Sequence, residues 1–109
     1  MNEFNELTEI LIKFRNDRDW EQFHNPKDLA IALSVEAGEL LELFLWKDAD
    51  QADITKIREE LADVLAYSLL LADKYKLDIS EIVKEKVKKN EVKYPVDKAW
   101  GNAKKYTEL

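Results

Sequence analysis

The 109-residue chain contains no cysteine, only two glycines and only two prolines. The absence of cysteine excludes disulfide bonds and thiolate metal sites, and it is typical of a reducing compartment. So little glycine and proline leaves few of the residues that form the turns of a β-protein. The composition therefore favours helices joined by short connectors, and we expect an all-α protein.

An excess of basic charge and a long apolar run are also lacking. The formal net charge is -6, whereas neutralising the phosphates of a nucleic-acid polymer requires clustered lysine and arginine. No apolar run approaches the ~20 residues of a membrane span, and the acidic first ten residues lack the apolar core of a signal peptide. We therefore expect a cytoplasmic protein that binds neither a nucleic-acid polymer nor a membrane. Its length predicts a single domain over residues 1–109.

Apolar residues recur at helical spacing and predict four helices. The first covers residues 3–18. Asn25 and Pro26 predict the cap and first residue of a second helix, which continues to about Trp46. The third covers about 54–76. Asp78 and Glu81 predict a capping box that opens the fourth, which ends near 94–95. The tail, 95–109, is irregular apart from a short turn at 96–100. Short connectors predict an antiparallel four-helix bundle.

The second and third helices are apolar on nearly every side, as "LAIALSV" and "LLELFLW" illustrate. A surface helix of a globular protein carries one apolar stripe instead. A bundle of this size cannot cover two such helices within one chain. We therefore expect a homo-oligomer.

Two pairs of carboxylates lie inside these apolar helices: Glu36 with Glu39, and Glu60 with Asp63. Each pair has i, i+3 spacing and so occupies one face of its helix. Antiparallel neighbours would bring all four together, and such a site suits Mg²⁺ or Mn²⁺. Asp63 interrupts the apolar run "LADVLAYSLLLA", whose burial would remove its carboxylate from water unless a cation compensated it.

Other interpretations of these carboxylates remain open at this point. Acidic pairs at this spacing are common on solvated helix faces. A di-iron bundle is a neighbouring alternative, but its Glu-x-x-His motifs are missing, since the one histidine, His24, lies in a predicted loop. Zinc is disfavoured for the same reason.

The motif "EAGEL" followed by "EELADVLAY" resembles the E-x-x-E and E-x-x-D signature of the MazG-like, all-α nucleoside triphosphate pyrophosphohydrolases. "RDWEQFHNPKDLAIAL", "GELLELFLW", "KNEVKYP" and "KYTEL" are similar to the dCTP pyrophosphatase branch of that family. The resemblance covers nearly the whole chain from Arg18 onward. It departs from the animal enzymes at Leu11, where they carry a histidine.

This resemblance implies Mg²⁺-dependent hydrolysis of a deoxynucleoside triphosphate between its α- and β-phosphates, by a tetramer built as a dimer of dimers. It implies that the four carboxylates are the metal ligands and catalytic residues. It implies that three residues on one stripe of the fourth helix contact the phosphates: Lys86, Asn90 and Lys93. It implies that three aromatic residues line the pocket for the base and the sugar, with Phe23 and His24 at its border: Trp20, Trp46 and Tyr67.

Two alternatives to dCTP hydrolysis stay open. The same fold could act on dUTP, on damaged deoxynucleotides or on phosphoribosyl-ATP. A catalytically silent helical module that only oligomerises belongs to another class. Four carboxylates inside apolar helices argue against that module, because an assembly surface gains nothing from them.

Overall fold

The computed structural model describes residues 2–109, in which five α-helices and three short 3₁₀ turns are formed and no residue is in a β-strand. The all-α prediction is confirmed, and the four long helices follow in the predicted order. The helices are α1 (Glu3–Asn16), α2 (Pro26–Glu42), α3 (Ile54–Lys74), α4 (Ile79–Lys93) and α5 (Val96–Ala99). The 3₁₀ turns are Glu21–Phe23, Ala49–Gln51 and Tyr106–Glu108.

Side-chain caps start the helices where the sequence predicts them. The Asn25 side chain accepts a hydrogen bond from the Asp28 backbone N–H at 2.9 Å, and Pro26 is the first residue of α2. At α4, the Asp78 carboxylate accepts one from the Glu81 N–H at 3.0 Å. Each cap satisfies a backbone donor that has no partner within the first turn of a helix.

The ends of the helices come earlier than predicted. The second helix ends at Glu42, so the predicted boundary near Trp46 is wrong by four residues. Beyond Glu42 the backbone tightens into i to i+3 hydrogen bonds, such as Phe44 N–H to the Leu41 carbonyl at 3.0 Å. Trp46 then has φ 60°, a left-handed conformation that costs a bulky residue about 1–3 kcal/mol. The apolar "LFLW" therefore closes the helix instead of extending it.

The chain divides into two compact units, with the boundary between Lys76 and Leu77. In the first unit α3 packs along α2 and, less extensively, against α1. Glu42 and Leu43, at the end of α2, line the same cleft as Asp53 and Lys56, at the start of α3. The two helices are therefore antiparallel. The assignment of residues 1–109 to a single domain stays a prediction.

The second unit comprises α4, α5 and the last 3₁₀ turn. The rings of Tyr94 and Tyr106 meet edge to face with centroids 6.0 Å apart. The ammonium of Lys93 lies 4.9 Å from the Tyr106 ring, within the range of a cation–π contact. α5 occupies the position where the sequence predicts a short turn. Aromatic contacts thus join the last turn to the end of α4.

The core is small, and many large apolar side chains remain accessible in the single chain. The buried apolar residues of the described chain are Leu29, Leu69, Leu70 and Ala72, of which only Leu29 is fully buried. Exposed apolar residues extend along α2 and α3, including Ile31, Leu41, Leu61 and Leu65. This agrees with the sequence pattern of helices apolar on nearly every side. Among residues 2–109, no helix combines the length and hydropathy needed to cross a membrane.

Leu29 should contribute more to stability than an exposed apolar residue such as Val92, because Leu29 is 1% exposed whereas Val92 is 81% exposed. We expect Leu29→Ala to lower the free energy of unfolding by about 2–5 kcal/mol, since it removes buried methylene groups and leaves a cavity. The control variant Val92→Ala lies on α4, outside the two apolar helices expected to self-associate, and should stay within about 0.5 kcal/mol of wild type. Urea unfolding curves measure both, and equal effects would contradict this description of the core.

Candidate active site

The antiparallel packing of α2 on α3 brings three carboxylates together. Glu36 of α2 and Glu60 and Asp63 of α3 each offer an oxygen, and these oxygens lie within 4.8 Å of one another. Glu60 and Asp63 are one helical turn apart and so share a face of α3. Residues 2–109 contain no second group of this kind. We call these three residues the carboxylate cluster.

Glu39, the fourth predicted carboxylate, lies beside this cluster and not within it. It is one turn further along α2, where it lines an open cleft of about 460 Å³ together with Glu60 and Lys56. Its carboxyl group nevertheless helps to raise the pKa of both Glu36 and Glu60, through hydrogen bonding and through charge. The structure therefore brings three of the four predicted carboxylates into one group and leaves the fourth adjacent.

The pKa values of the cluster reflect burial and repulsion between like charges. Burial is the largest cause that raises the pKa of Glu36 to about 7, followed by the neighbouring carboxyl groups of Glu39 and Glu60 and the charge of Asp63. The pKa of Glu60 is also raised, again mainly by burial. Without a cation, the group therefore holds a proton near neutral pH, and that proton belongs to the cluster as a whole.

Two oxygens of the cluster are buried without any hydrogen-bond partner: Oε2 of Glu36 and Oε2 of Glu60. Buried polar atoms are nearly always paired, so two unpaired acceptors side by side require a donor or a cation. The ligand atoms that this site offers to a metal ion are all carboxylate oxygens, which suit Mg²⁺ or Mn²⁺ better than zinc. The residues present therefore fit the divalent cation that the sequence predicts.

Asp63 is exposed in the single chain. The expectation that its apolar run buries it is therefore wrong within one chain, since the neighbouring Leu61 and Leu65 are exposed as well. Two helices, α1 and α2, pack against α3 in the first unit, and they leave one side of it exposed. Asp63 belongs to the carboxylate cluster and also lines a second feature, a pocket formed with α1.

This second feature is a pocket of about 120 Å³, which we call the aromatic pocket. The Tyr67 and His24 rings meet at 6.3 Å and 71°, and those of Phe14 and Trp20 at 5.7 Å and 75°. Burial, followed by the charges of Glu36, Asp63 and Glu39, raises the pKa of Tyr67, so its phenol stays protonated. The residues that line the aromatic pocket are Leu11, Phe14, Arg15, Trp20, His24, Asp63, Ala66, Tyr67 and Leu70. Asp63 thus belongs to both the pocket and the cluster.

Comparison with known proteins places this geometry in a family. The model of the MazG-like family matches residues 31–109, which include all three residues of the carboxylate cluster. The chain belongs to the MazG-like family. The family model begins within α2, so it does not include the side of the aromatic pocket formed by α1 and Trp20.

Individual relatives of this MazG-like chain resemble it over almost all of its length. It is 40% identical over 112 residues to dCTP pyrophosphatase 1 of Rattus norvegicus and 38% identical to that of Homo sapiens, with 95% of the chain covered. The chain spans 66% of the length of these curated relatives. The crystal structure of a pyrophosphatase from Archaeoglobus fulgidus superimposes with a TM-score of 0.80 at 41% identity, covering 87% of this chain and 94% of that one.

The substrate-binding residues predicted from sequence fall in different places. Trp20 and Tyr67 meet in the aromatic pocket, and His24 joins them, whereas Phe23 is exposed outside its lining. Trp46 is 94% exposed and is not among the lining residues, because α2 ends before it. The residues predicted to contact phosphates, Lys86, Asn90 and Lys93, lie on α4 in the second unit. Their contact with phosphates stays a prediction.

The sequence patterns of this MazG-like chain did not identify Arg15 as a residue of the aromatic pocket. This arginine is only 5% exposed and lines the aromatic pocket beside Tyr67. The signal was present, because Arg15 lies four residues after Leu11 and so falls on the apolar side of α1. A charged residue in such a position is buried only where something pairs with it.

The raised pKa of Glu36 has a consequence for stability that depends on pH. The folded state holds this proton more tightly than the unfolded chain, whose pKa is near 4.5, so the contribution of Glu36 is complete below that value. It is lost as the pH rises through about 7. We therefore expect that, in EDTA, the melting temperature of wild type falls relative to that of Glu36→Gln as the pH rises from about 5 to about 8.

Melting curves of the two proteins at both pH values provide this measurement. Burial and nearby positive charges lower the pKa of His24, which gives the opposite trend, but that trend is common to both proteins and cancels in the difference. Glu9→Gln, which changes an exposed carboxylate on α1, should follow wild type. A constant difference between wild type and Glu36→Gln across this range would exclude the repulsive cluster.

Proposed function

We propose that this chain is a Mg²⁺-dependent pyrophosphohydrolase of deoxynucleoside triphosphates, which it cleaves between the α- and β-phosphates to a monophosphate and pyrophosphate. The observation that carries this proposal is the position of Asp63, which belongs to both the carboxylate cluster and the aromatic pocket. A base in the pocket would set its phosphates beside the cluster. The activities named for the relatives, dCTP pyrophosphatase and pyrophosphatase, support the same reaction.

Each part of the site has a distinct role in this proposal. Glu36, Glu60 and Asp63 hold the Mg²⁺, and Glu39 is the proposed fourth ligand. Bound there, Mg²⁺ would supply the positive charge that lets a triphosphate approach carboxylates and that stabilises charge on the phosphates during cleavage. Trp20 and Tyr67 orient the base, because aromatic rings stack on any nucleobase. Lys86, Asn90 and Lys93 of α4 are proposed to contact the phosphates.

The activity named for the relatives favours dCTP or a related deoxynucleotide among the substrates of this reaction. The aromatic pocket offers the rings of Trp20 and Tyr67 as surfaces on which one base could stack. The unpaired buried oxygens of Glu36 and Glu60 argue against a module that only oligomerises, since they would reduce its stability without serving it.

The reaction can be tested by incubating the protein with each common NTP and dNTP in Mg²⁺ and separating the products. We expect a monophosphate and pyrophosphate, with dCTP among the best substrates. Asp63→Asn should abolish release because it removes a charged ligand shared by cluster and pocket, whereas Glu9→Gln should retain it. A diphosphate with inorganic phosphate, or near-normal turnover by Asp63→Asn, would refute the proposal.

The same variants give a readout that does not depend on turnover. Mg²⁺ at a hundredfold excess over its dissociation constant should stabilise wild type by about 2.7 kcal/mol, and Asp63→Asn much less. In EDTA, Asp63→Asn should melt at or above the wild-type temperature, because one repulsive charge is gone. A loss of about 3–5 kcal/mol in EDTA would instead identify Asp63 as half of a buried ion pair.

We also propose that the chain works as a homotetramer, a dimer of dimers, in the cytoplasm. The exposed apolar side chains of α2 and α3 support self-association, because contiguous apolar surface of this kind is usually covered by another protein surface. Ile31 and Val35 lie one helical turn apart on α2 and line a shallow apolar depression there. The absence of cysteine agrees with a reducing compartment.

Light scattering in physiological salt should report no substantial monomer at micromolar concentration. Ile31→Glu should shift the mass toward smaller species, because it places a charge on the exposed apolar side of α2. Lys13→Glu alters an exposed charge on α1 and should leave the mass unchanged. Circular dichroism shows whether each variant is still folded. A wild-type monomer would remove the oligomer from the proposal.

A further inference from the structure

The guanidinium of Arg15 is buried with one donor group unused. Its Nε donates to the Asn16 side-chain oxygen at 3.2 Å, and its Nη2 lies 3.7 Å from a carboxylate oxygen of Glu21. Nη1 is buried and has no partner. Arginine carries donors only and keeps its charge at all relevant pH values, so Nη1 can be satisfied only by an acceptor.

The pairing of Arg15 with Glu21 does not explain its burial. The Glu21 side chain is mostly exposed and is shared with the Lys74 ammonium at 3.4 Å. Exposed pairs of this length contribute little to stability. Among the ion pairs of residues 2–109, none joins Arg15 to Asp63, although both line the aromatic pocket. The charge of Arg15 is therefore not neutralised by the opposite charge on the same pocket.

A second unused polar atom belongs to the same pocket. Nδ1 of His24 is buried without a partner, and the ring packs edge to face against Tyr67. A pocket that served only packing would not collect two unpaired polar atoms among aromatic rings, because each costs stability. The two atoms indicate a ligand with a flat apolar face and a polar edge.

We propose that Arg15 is a specificity-determining residue, whose Nη1 donates a hydrogen bond to a ring carbonyl oxygen of a pyrimidine in the aromatic pocket. This inference rests on the function proposed above, and it names the ring carbonyl as the part of the substrate that the protein recognises. Every natural pyrimidine base carries a carbonyl beside its glycosidic nitrogen, whereas adenine carries none. Trp20 and Tyr67 would accept any flat ring, so the polar edge supplies the discrimination.

Arg15→Met tests the inference, because methionine keeps an unbranched apolar side chain but has no donor. We expect KM for dCTP to rise about tenfold to a hundredfold, the loss typical of a charged hydrogen bond. The kcat should change little, since the carboxylate cluster is intact. KM for dATP should not rise, so preference for the pyrimidine falls. Arg15→Lys should restore part of the preference, because it keeps the charge but not the planar fork.

Two controls separate binding of the ring from a structural role. Glu21→Gln removes the ion pair without altering the lining of the pocket, and Lys13→Met removes an exposed charge from the same helix. Both should keep the wild-type KM for dCTP. In EDTA, Arg15→Met should melt at or above the wild-type temperature, because it removes a buried charge with an unused donor. An unchanged KM for dCTP, or equal increases for dCTP and dATP, would overturn the inference.

The failure of the proposed function would be recognised separately. If wild type releases no pyrophosphate from any dNTP, the proposed reaction falls, and the role of Arg15 is then decided by calorimetric titration with dCMP and dAMP. Tighter binding of dCMP by wild type, lost in Arg15→Met, supports the inference. Equal binding of dCMP by the two proteins, or none by wild type, overturns it.

Discussion

The packing of α2 against α3 in antiparallel orientation is the constraint on which the site depends. It sets Glu36 against Glu60 and Asp63, with like charges within 4.8 Å and two buried oxygens unpaired. Such an arrangement opposes folding unless a proton or a cation occupies it. The raised pKa values of Glu36 and Glu60 express that opposition. A local loss of stability of this kind is a common feature of functional sites.

α1 turns this charged cluster into a site with two compartments. It packs on α3, and the aromatic pocket is lined by residues of α1 and by residues of α3 that lie one to three turns beyond Glu60. The pocket contains a cation, Arg15, and an anion, Asp63, that do not pair with each other. The proposals above give them separate partners, a divalent cation for Asp63 and a ring acceptor for Arg15. In the proposed function, the carboxylate cluster would hold the reacting end of a nucleotide and the aromatic pocket the end that is recognised.

The small core and the exposed apolar helices follow from the same architecture. The two helices α1 and α2 cover only part of α3, so Leu61 and Leu65 remain accessible in the single chain, and Asp63 is exposed between them. Contact with further protein surface would bury these side chains and reduce the access of water to the carboxylates. Lower water content would strengthen every electrostatic interaction there. In the proposed homotetramer, oligomerisation and chemistry would thus be linked physically through the exposed side of α3.

The sequence by itself determined the features that depend on neighbours along the chain. The all-α class, the order of the helices, the caps at Asn25 and Asp78, and the two carboxylate pairs all follow from local spacing. Only the tertiary structure decided where α2 stops, since "LFLW" is as apolar as the helix before it. It also decided that Trp46 stays outside the aromatic pocket, that Glu39 lies beside the carboxylate cluster, and that Arg15 is buried. These outcomes depend on which side of one helix meets another, and periodicity along a single helix does not contain that information.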